Sequence, residues 1–123
     1  MAADNQDAAR LLDMVEAAES ISRHLTNKQR TDLDKNEMLG DALERQLEIF
    51  GEAARNISAE FQKMHPEIPW KKIISTRHIL AHEYGRVNPD VLWRIVTQYV
   101  PEALKKIKPL VPPFPPDPEP EER

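Results

Sequence analysis

Apolar residues recur along the chain at helical rather than alternating spacing. Leu11, Val15, Ala18, Ile21 and Leu25 fall three or four apart with charged residues between them, which predicts a first amphipathic helix capped by Asp4 or Asn5. The polar run from Thr26 to Thr31 reads as a loop. Leu39, Leu43, Leu47, Phe50, Ala54, Ile57 and Phe61 then form a stripe that predicts one long helix of roughly seven turns. Gly40 and Gly51 lie inside it, and Gly51 is a candidate for a close helix–helix approach. His65-Pro66-Glu67-Ile68-Pro69-Trp70 breaks the pattern, because a residue before proline avoids helical geometry. Pro69 suits the first turn of a third helix, which carries Trp70, Ile73, Ile74, Leu80 and Ala81 and ends near Tyr84-Gly85. Asn88-Pro89-Asp90 opens a fourth, with Val91, Leu92, Ile95, Val96, Tyr99 and Val100 on its stripe. Pro101 is expected to kink or divide that helix before Leu104 and Ile107. Four amphipathic helices with short connections predict an all-α antiparallel four-helix bundle over residues 1–108. The long second helix has apolar surface to spare for a dimer partner.

Composition supports this reading. The chain has only 3 glycines, and 7 of its 11 prolines fall in 109–123, so the body is poor in helix breakers. The Pro-rich acidic segment 109–123 cannot pack a core and is expected to be a disordered tail. Trp70, Trp93 and Tyr99 are assigned to the core. With 0 cysteines, disulfide frameworks, Cys-based zinc sites, iron–sulfur clusters and thiol catalysis are excluded. No apolar run approaches the ~18–20 residues of a membrane span. Met1 to Asp7 lack the basic and apolar regions of a signal peptide, so a cytoplasmic protein without membrane association is expected. The net charge of −4 is unevenly spread: residues 1–61 carry −6, residues 62–108 carry +5 and the tail carries −3. An anionic partner would therefore meet residues 62–108.

That block holds the densest candidate chemistry, Ser75-Thr76-Arg77-His78-Ile79-Leu80-Ala81-His82-Glu83-Tyr84-Gly85-Arg86. Arg77 and Tyr84 share a helix face, as do His78 and His82, whereas Arg77 and His82 do not line up on a straight helix. A shared site for the last pair needs a frayed end, a bend or a second subunit. Three readings stay open at this point. Two histidines four apart can hold zinc, although a third ligand is not evident and no metal site is assigned. The same residues can be structural, capping a helix end and pairing with acids of another helix. The third reading is phosphodiester chemistry. Histidine moves protons near neutral pH, and arginine holds a phosphate and its developing charge. RNA brings its own 2′-hydroxyl nucleophile, so such a site requires no cofactor.

Arg77, His82 and Tyr84 reproduce the Arg-x-x-x-x-His-x-Tyr signature of HEPN-domain ribonucleases. Ile49-Phe50-Gly51-Glu52-Ala53-Ala54 resembles the "IIGEAA" box of the HepT-like toxins, Pro66-Glu67-Ile68-Pro69-Trp70 their "P-x-I-P-W" entry, and Val91-Leu92-Trp93 their following "V-W" helix. The resemblance covers about residues 8–107. It implies a helical HEPN bundle that forms a homodimer, with motif residues of two subunits around one cleft. It further implies a metal-independent ribonuclease toxin, acting on tRNA or mRNA, of a type VII-like toxin–antitoxin pair. In that scheme His82 is the general acid/base and Arg77 holds the phosphate, while His78 and Glu52 support them. The partner antitoxin is a minimal (MNT-type) nucleotidyltransferase that attaches AMP to the motif tyrosine, Tyr84 here. Lys71, Lys72 and Arg86 would steer RNA. His78 departs from the family, which usually has a polar residue, often Asn, at that position. A rival reading is a catalytically idle HEPN module that holds a nucleotide or docks a nucleotidyltransferase.

Overall fold

The computed structural model describes residues 4–81 and 87–113, with the backbone alone over 77–81. Its elements are α1 (Asn5–His24), α2 (Asp32–Lys35), α3 (Glu37–Arg55), α4 (Ala59–Met64), α5 (Trp70–Ala81), α6 (Pro89–Arg94), a π-helical turn (Ile95–Tyr99), α7 (Val100–Ile107) and a closing 3₁₀ turn (Lys108–Leu110). Among the described residues there is no strand, so the fold is all-α, as the stripe spacing predicts.

The four long members are α1, α3, α5 and the rod made by α6, the π turn and α7. α1 and α3 pack along their lengths, and Asp7 in the first turn of α1 bonds Ser58 just past the end of α3, so these two run antiparallel. The groove between α1 and the rod is lined by Ala18, Ile21 and Leu25 on one side and Val96, Val100 and Leu104 on the other. The core follows the predicted stripes: Leu11, Ile21, Leu43, Leu47, Phe50, Ile73, Val96 and Ile107 are fully buried. Trp70 is buried, and Trp93 and Tyr99 pack partly buried against the same cluster.

Caps fix the helix starts. Asp4 opens α1 by accepting from the Asp7 backbone N–H at 2.7 Å. Asn88 caps α6, its Oδ1 accepting from the N–H groups of Asp90 and Val91, with Pro89 in the first turn as predicted. Pro69 differs slightly from its expected place: it precedes α5, and its carbonyl takes the Ile73 N–H at 3.0 Å. After α1, Asn27 takes φ 60°, a left-handed turn that asparagine tolerates better than other side chains. The polar 26–31 stretch is a turn region, as expected, but it runs on into the short α2.

Two departures have local causes. The stripe from Leu39 to Phe61 is not one helix but two, α3 and α4, broken at Asn56–Ser58. Asn56 closes α3 by donating its side-chain amide to the Glu52 carbonyl at 2.9 Å. Ser58 opens α4 by accepting the Phe61 N–H, and the buried Asp7 carboxylate takes both the Ser58 N–H (2.8 Å) and its hydroxyl (2.6 Å). Ile57 stays buried through the break, which is why the apolar stripe looks continuous. In the rod, Pro101 does not divide the helix. A proline lacks the N–H and collides with the carbonyl four residues back. The chain widens into the π turn instead, closed by the Val100 N–H on the Ile95 carbonyl, and helix continues beyond it.

The 3₁₀ turn carries ordered packing past residue 108, with Leu110 and Val111 against the core. The disorder expected for the tail lies, beyond Pro113, outside the described residues.

Candidate active site

The entry to α5 is built from aromatic packing. Phe61 lies against His65 with ring centroids 4.4 Å apart and meets Trp70 edge-on at 6.3 Å. Trp70 donates its indole N–H to the His65 carbonyl at 3.0 Å. That anchor explains the spacing of the Pro-Glu-Ile-Pro-Trp segment: Ile68 and Trp70 are buried while the two prolines turn the chain into the helix. Inside α5, Trp70, Ile73 and Thr76 face the core, and the Thr76 hydroxyl donates to the Ile73 carbonyl at 2.6 Å. Lys71 and Lys72 are left exposed on the first turn.

The backbone of Arg77 and His78 continues α5 without interruption to Ala81. His82, Tyr84 and Arg86 lie outside the described residues, so the geometry that joins them to Arg77 does as well. The helix face shared by Arg77 and Tyr84, and the predicted end of this helix near Tyr84-Gly85, fall under the same limit.

Glu52 sits in the last turn of α3, a helix that packs directly on α5. Its carboxylate accepts from Arg55 (Nη2 at 3.0 Å, Nε at 3.3 Å) and from the Asn56 side chain at 3.3 Å. The bond to Glu52 raises the Arg55 pKa, so this guanidinium stays charged at any ordinary pH. Glu52 also lines a groove of about 340 Å³ between α1 and α3, with Arg10, Asp13, Arg45 and Glu48. Gly51 beside it is buried in α3.

One supporting contact escapes sequence reasoning. Arg30, from the turn after α1, donates to Asp90 at 2.6 Å and to Asp34 at 3.1 Å. It clamps the start of α6, immediately after the motif segment, to the α1–α3 connection. Arg30 and Asp90 are 60 residues apart, and although Asp90 closes the Asn88-Pro89-Asp90 helix-start signature, no local signal marks Arg30 as its partner. Beside it opens an acidic groove of about 1010 Å³, with Asp34, Glu37, Asp41, Glu44 and Asp90 around its rim and Leu33, Val87 and Leu92 among its lining. Burial, with the neighbouring charges of Asp41 and Glu48, pushes the Glu44 carboxyl above its ordinary range. Among the described residues no group of three or more His, Asp or Glu side chains is arranged to hold a metal, and no helix is long and apolar enough to cross a membrane.

Comparison with known proteins matches residues 14–110 to the family described as "Ribonuclease HepT-like". A Methanocaldococcus jannaschii protein named "Putative RNase MJ1380" is 34% identical over 98 residues, covering 80% of this chain and 90% of that one. "Putative RNase TTE0752" of Caldanaerobacter subterraneus subsp. tengcongensis is 40% identical over 77 residues, 63% of this chain and 69% of that one. "Probable ribonuclease HepT" of Thermococcus cleftensis is 42% identical over 69 residues, 56% of this chain and 63% of that one. No solved structure matches. The aromatic entry to α5, the helix that carries Arg77 and the capped α6 all fall within the matched span, and the chain belongs to the HepT-like ribonuclease family.

Proposed function

We propose that this protein is a metal-independent endoribonuclease, the toxin of a type VII-like pair whose antitoxin is an MNT-type nucleotidyltransferase. The observation that carries the reading is the Arg77–His82–Tyr84 spacing in the sequence, within a family match spanning residues 14–110. The chemistry follows from the residue types. The substrate 2′-hydroxyl loses its proton to a base and its oxygen attacks the adjacent phosphorus. The bond to the 5′-oxygen breaks, and that oxygen takes a proton. The products are a 2′,3′-cyclic phosphate and a 5′-hydroxyl. His82 moves the protons, a role worth about 10²–10⁴-fold in rate. Arg77 holds the phosphate and the charge that builds on its oxygens in the transition state. His78 and Glu52 support that pair.

The active form is a homodimer in the cytoplasm, with two motif helices around one cleft, and the RNA is tRNA or mRNA. The antitoxin adds AMP to the Tyr84 hydroxyl. A phosphodiester there carries negative charge and bulk beside Arg77 and His82, which occupies the cationic groups and keeps RNA out.

The test incubates the full chain and its His82→Ala variant with total tRNA in EDTA and maps the product ends. Cleavage by the parent alone, leaving cyclic-phosphate ends, is expected. A folded, unmodified parent that cuts no RNA across a wider panel would overturn the enzymatic reading in favour of a binding module. Tyr84→Phe should lose AMP incorporation in the antitoxin's presence; unchanged labelling would remove Tyr84 as the acceptor.

A further inference from the structure

The fold brings two lysine pairs to one end of the bundle. Lys71 and Lys72 stand exposed on the first turn of α5, because the buried stripe takes Trp70, Ile73 and Thr76. Lys106 Nζ donates to the Glu67 carbonyl at 3.3 Å, which sets the exposed end of α7, with Lys105, against the turn that opens α5. Among the described residues, none of these four ammonium groups lies within ion-pair distance of a carboxylate. Glu67 faces His65 instead, at 3.3 Å, and Glu102 is exposed one turn before Lys105 and Lys106. Like charges gathered from two elements repel one another, and an anionic segment relieves that repulsion.

The chain carries such a segment directly after α7. The 3₁₀ turn is fixed by the Lys108–Glu19 pair at 3.1 Å and by Leu110 and Val111 against the core, so the chain leaves the described residues at Pro113 from an anchored root. Residues 114–123 hold Asp117, Glu119, Glu121 and Glu122 against Arg123 alone, with Pro118 and Pro120 between the first three acids. Proline restricts the free chain, so less entropy is lost on docking, and an extended Pro-rich backbone spaces acids two residues apart by roughly 6 Å. Reach is sufficient. Lys106 precedes Pro113 by seven residues, at most roughly 17 Å of helical, 3₁₀ and extended rise. Asp117 and Glu122 lie four and nine residues past Pro113, roughly 12 and 28 Å of extended chain. The groove beside α2, α3 and α6 is closed to these acids, since Asp34, Glu37, Asp41, Glu44 and Asp90 rim it.

We infer that the acids of 117–122 fold back onto Lys71, Lys72, Lys105 and Lys106 of the same chain and shield them from RNA. The contact is a property of the chain itself; only the shielding rests on the ribonuclease reading. Each subunit of a homodimer carries both the lysines and the acids, so the arrangement repeats under two-fold symmetry. The segment then competes with the phosphate backbone of the substrate for the same cations, and RNA binding has to displace it.

The first arm of the experiment needs no RNA. The chain has no cysteine, so a single nitroxide can be attached to the full-length R123C protein. Amide signals of residues 66–72 and 104–108 should broaden at low salt and recover at about 0.5 M salt, where the screening length is roughly 4 Å. They should also recover when D117N/E119Q/E121Q/E122Q is added. Broadening that ignores salt, or that is unchanged in the neutralised segment, would overturn the contact. The second arm measures binding of a fluorescent single-stranded RNA of about a dozen nucleotides to full-length His82→Ala protein. Neutralising the segment frees four weak exposed pairs, so RNA should bind about tenfold tighter at low salt. That gain should vanish in a K71Q/K72Q/K105Q/K106Q background; a gain that persists there would mean that the acids act through overall charge and would overturn the contact. Equal affinity with and without the four acids, or no RNA binding by either form, would overturn the shielding. If the His82-intact protein cuts RNA while broadening is indifferent to neutralisation, the contact fails and the ribonuclease reading stands. If salt-sensitive broadening is found but the His82-intact protein cuts no RNA, the ribonuclease reading fails and the contact stands.

Discussion

Removing the Asp7 carboxylate should destabilise the bundle more than any surface substitution. Asp7 is only 5% exposed, and its two oxygens take the Ser58 N–H at 2.8 Å and the Ser58 hydroxyl at 2.6 Å. The Ser58 hydroxyl oxygen in turn accepts the Phe61 N–H that opens α4, so one carboxylate holds the first turn of α1, the α3–α4 break and the α4 cap together. Hydrogen bonds to a charged group contribute about 1.5–3 kcal/mol each. In Asp7→Ala both are lost, but the cost of burying the carboxylate is recovered and Ser58, only half-buried, regains some water. The expected net loss is about 2–4 kcal/mol. For a domain of this size that lowers Tm by roughly 8–16 °C. Asp7→Asn keeps the shape and one acceptor, and should lose about half as much. The assay is urea unfolding followed by circular dichroism, at fixed protein concentration because self-association would make the apparent stability depend on it. The double variant Asp7→Ala/Ser58→Ala should lose clearly less than the two singles added together, since each removes the same contacts. An Asp7→Ala protein within about 0.5 kcal/mol of the parent, or fully additive singles, would refute this account of how the helix break is held.

Three further substitutions test other parts of the structure. Gly40 lies inside α3 with open space where a Cβ would sit, so Gly40→Ala should stabilise by about 0.5–1 kcal/mol, and a loss on urea unfolding would contradict it. The Tyr99 hydroxyl is buried with no hydrogen-bond partner among the described residues, and burial raises its pKa above the ordinary 10.0. Tyr99→Phe should therefore be neutral or raise Tm, and a drop of several degrees would mean that the hydroxyl is bonded. Glu44 binds its proton more tightly folded than unfolded, so its contribution to stability falls as pH rises from its ordinary value of 4.5 through the raised one, and stays unfavourable above it. Glu44→Gln should then stabilise the protein at pH 7 and lose that advantage near pH 4; an equal gain at both values would refute the assignment.

Much of this protein is determined by sequence alone. The 3.6-residue stripes identify the helices and the core, because burial demands an apolar face whatever the neighbours are. Asn88-Pro89 marks the start of α6, and Asp4 or Asn5 that of α1, because a cap acts within three residues; the structure selects Asp4. The candidate site is legible only through the resemblance: residue type and spacing around Arg77, His82 and Tyr84 leave metal-binding, structural and phosphodiester readings open, and the HEPN signature is what singles out the last.

Only the tertiary structure decides the rest. The break between α3 and α4 is invisible to a periodicity count because Ile57 keeps the stripe intact, while the group that holds the break, Asp7, comes from 51 residues away. The π turn before Pro101 is a backbone response to a missing N–H, and a run of apolar residues reads the same on either side of it. The clamp of Arg30 on Asp90 spans 60 residues, and the meeting of Lys106 with the Glu67 carbonyl spans 39. Local propensity reaches about one helical turn; charges and hydrogen bonds between elements exist only once packing has brought the elements together.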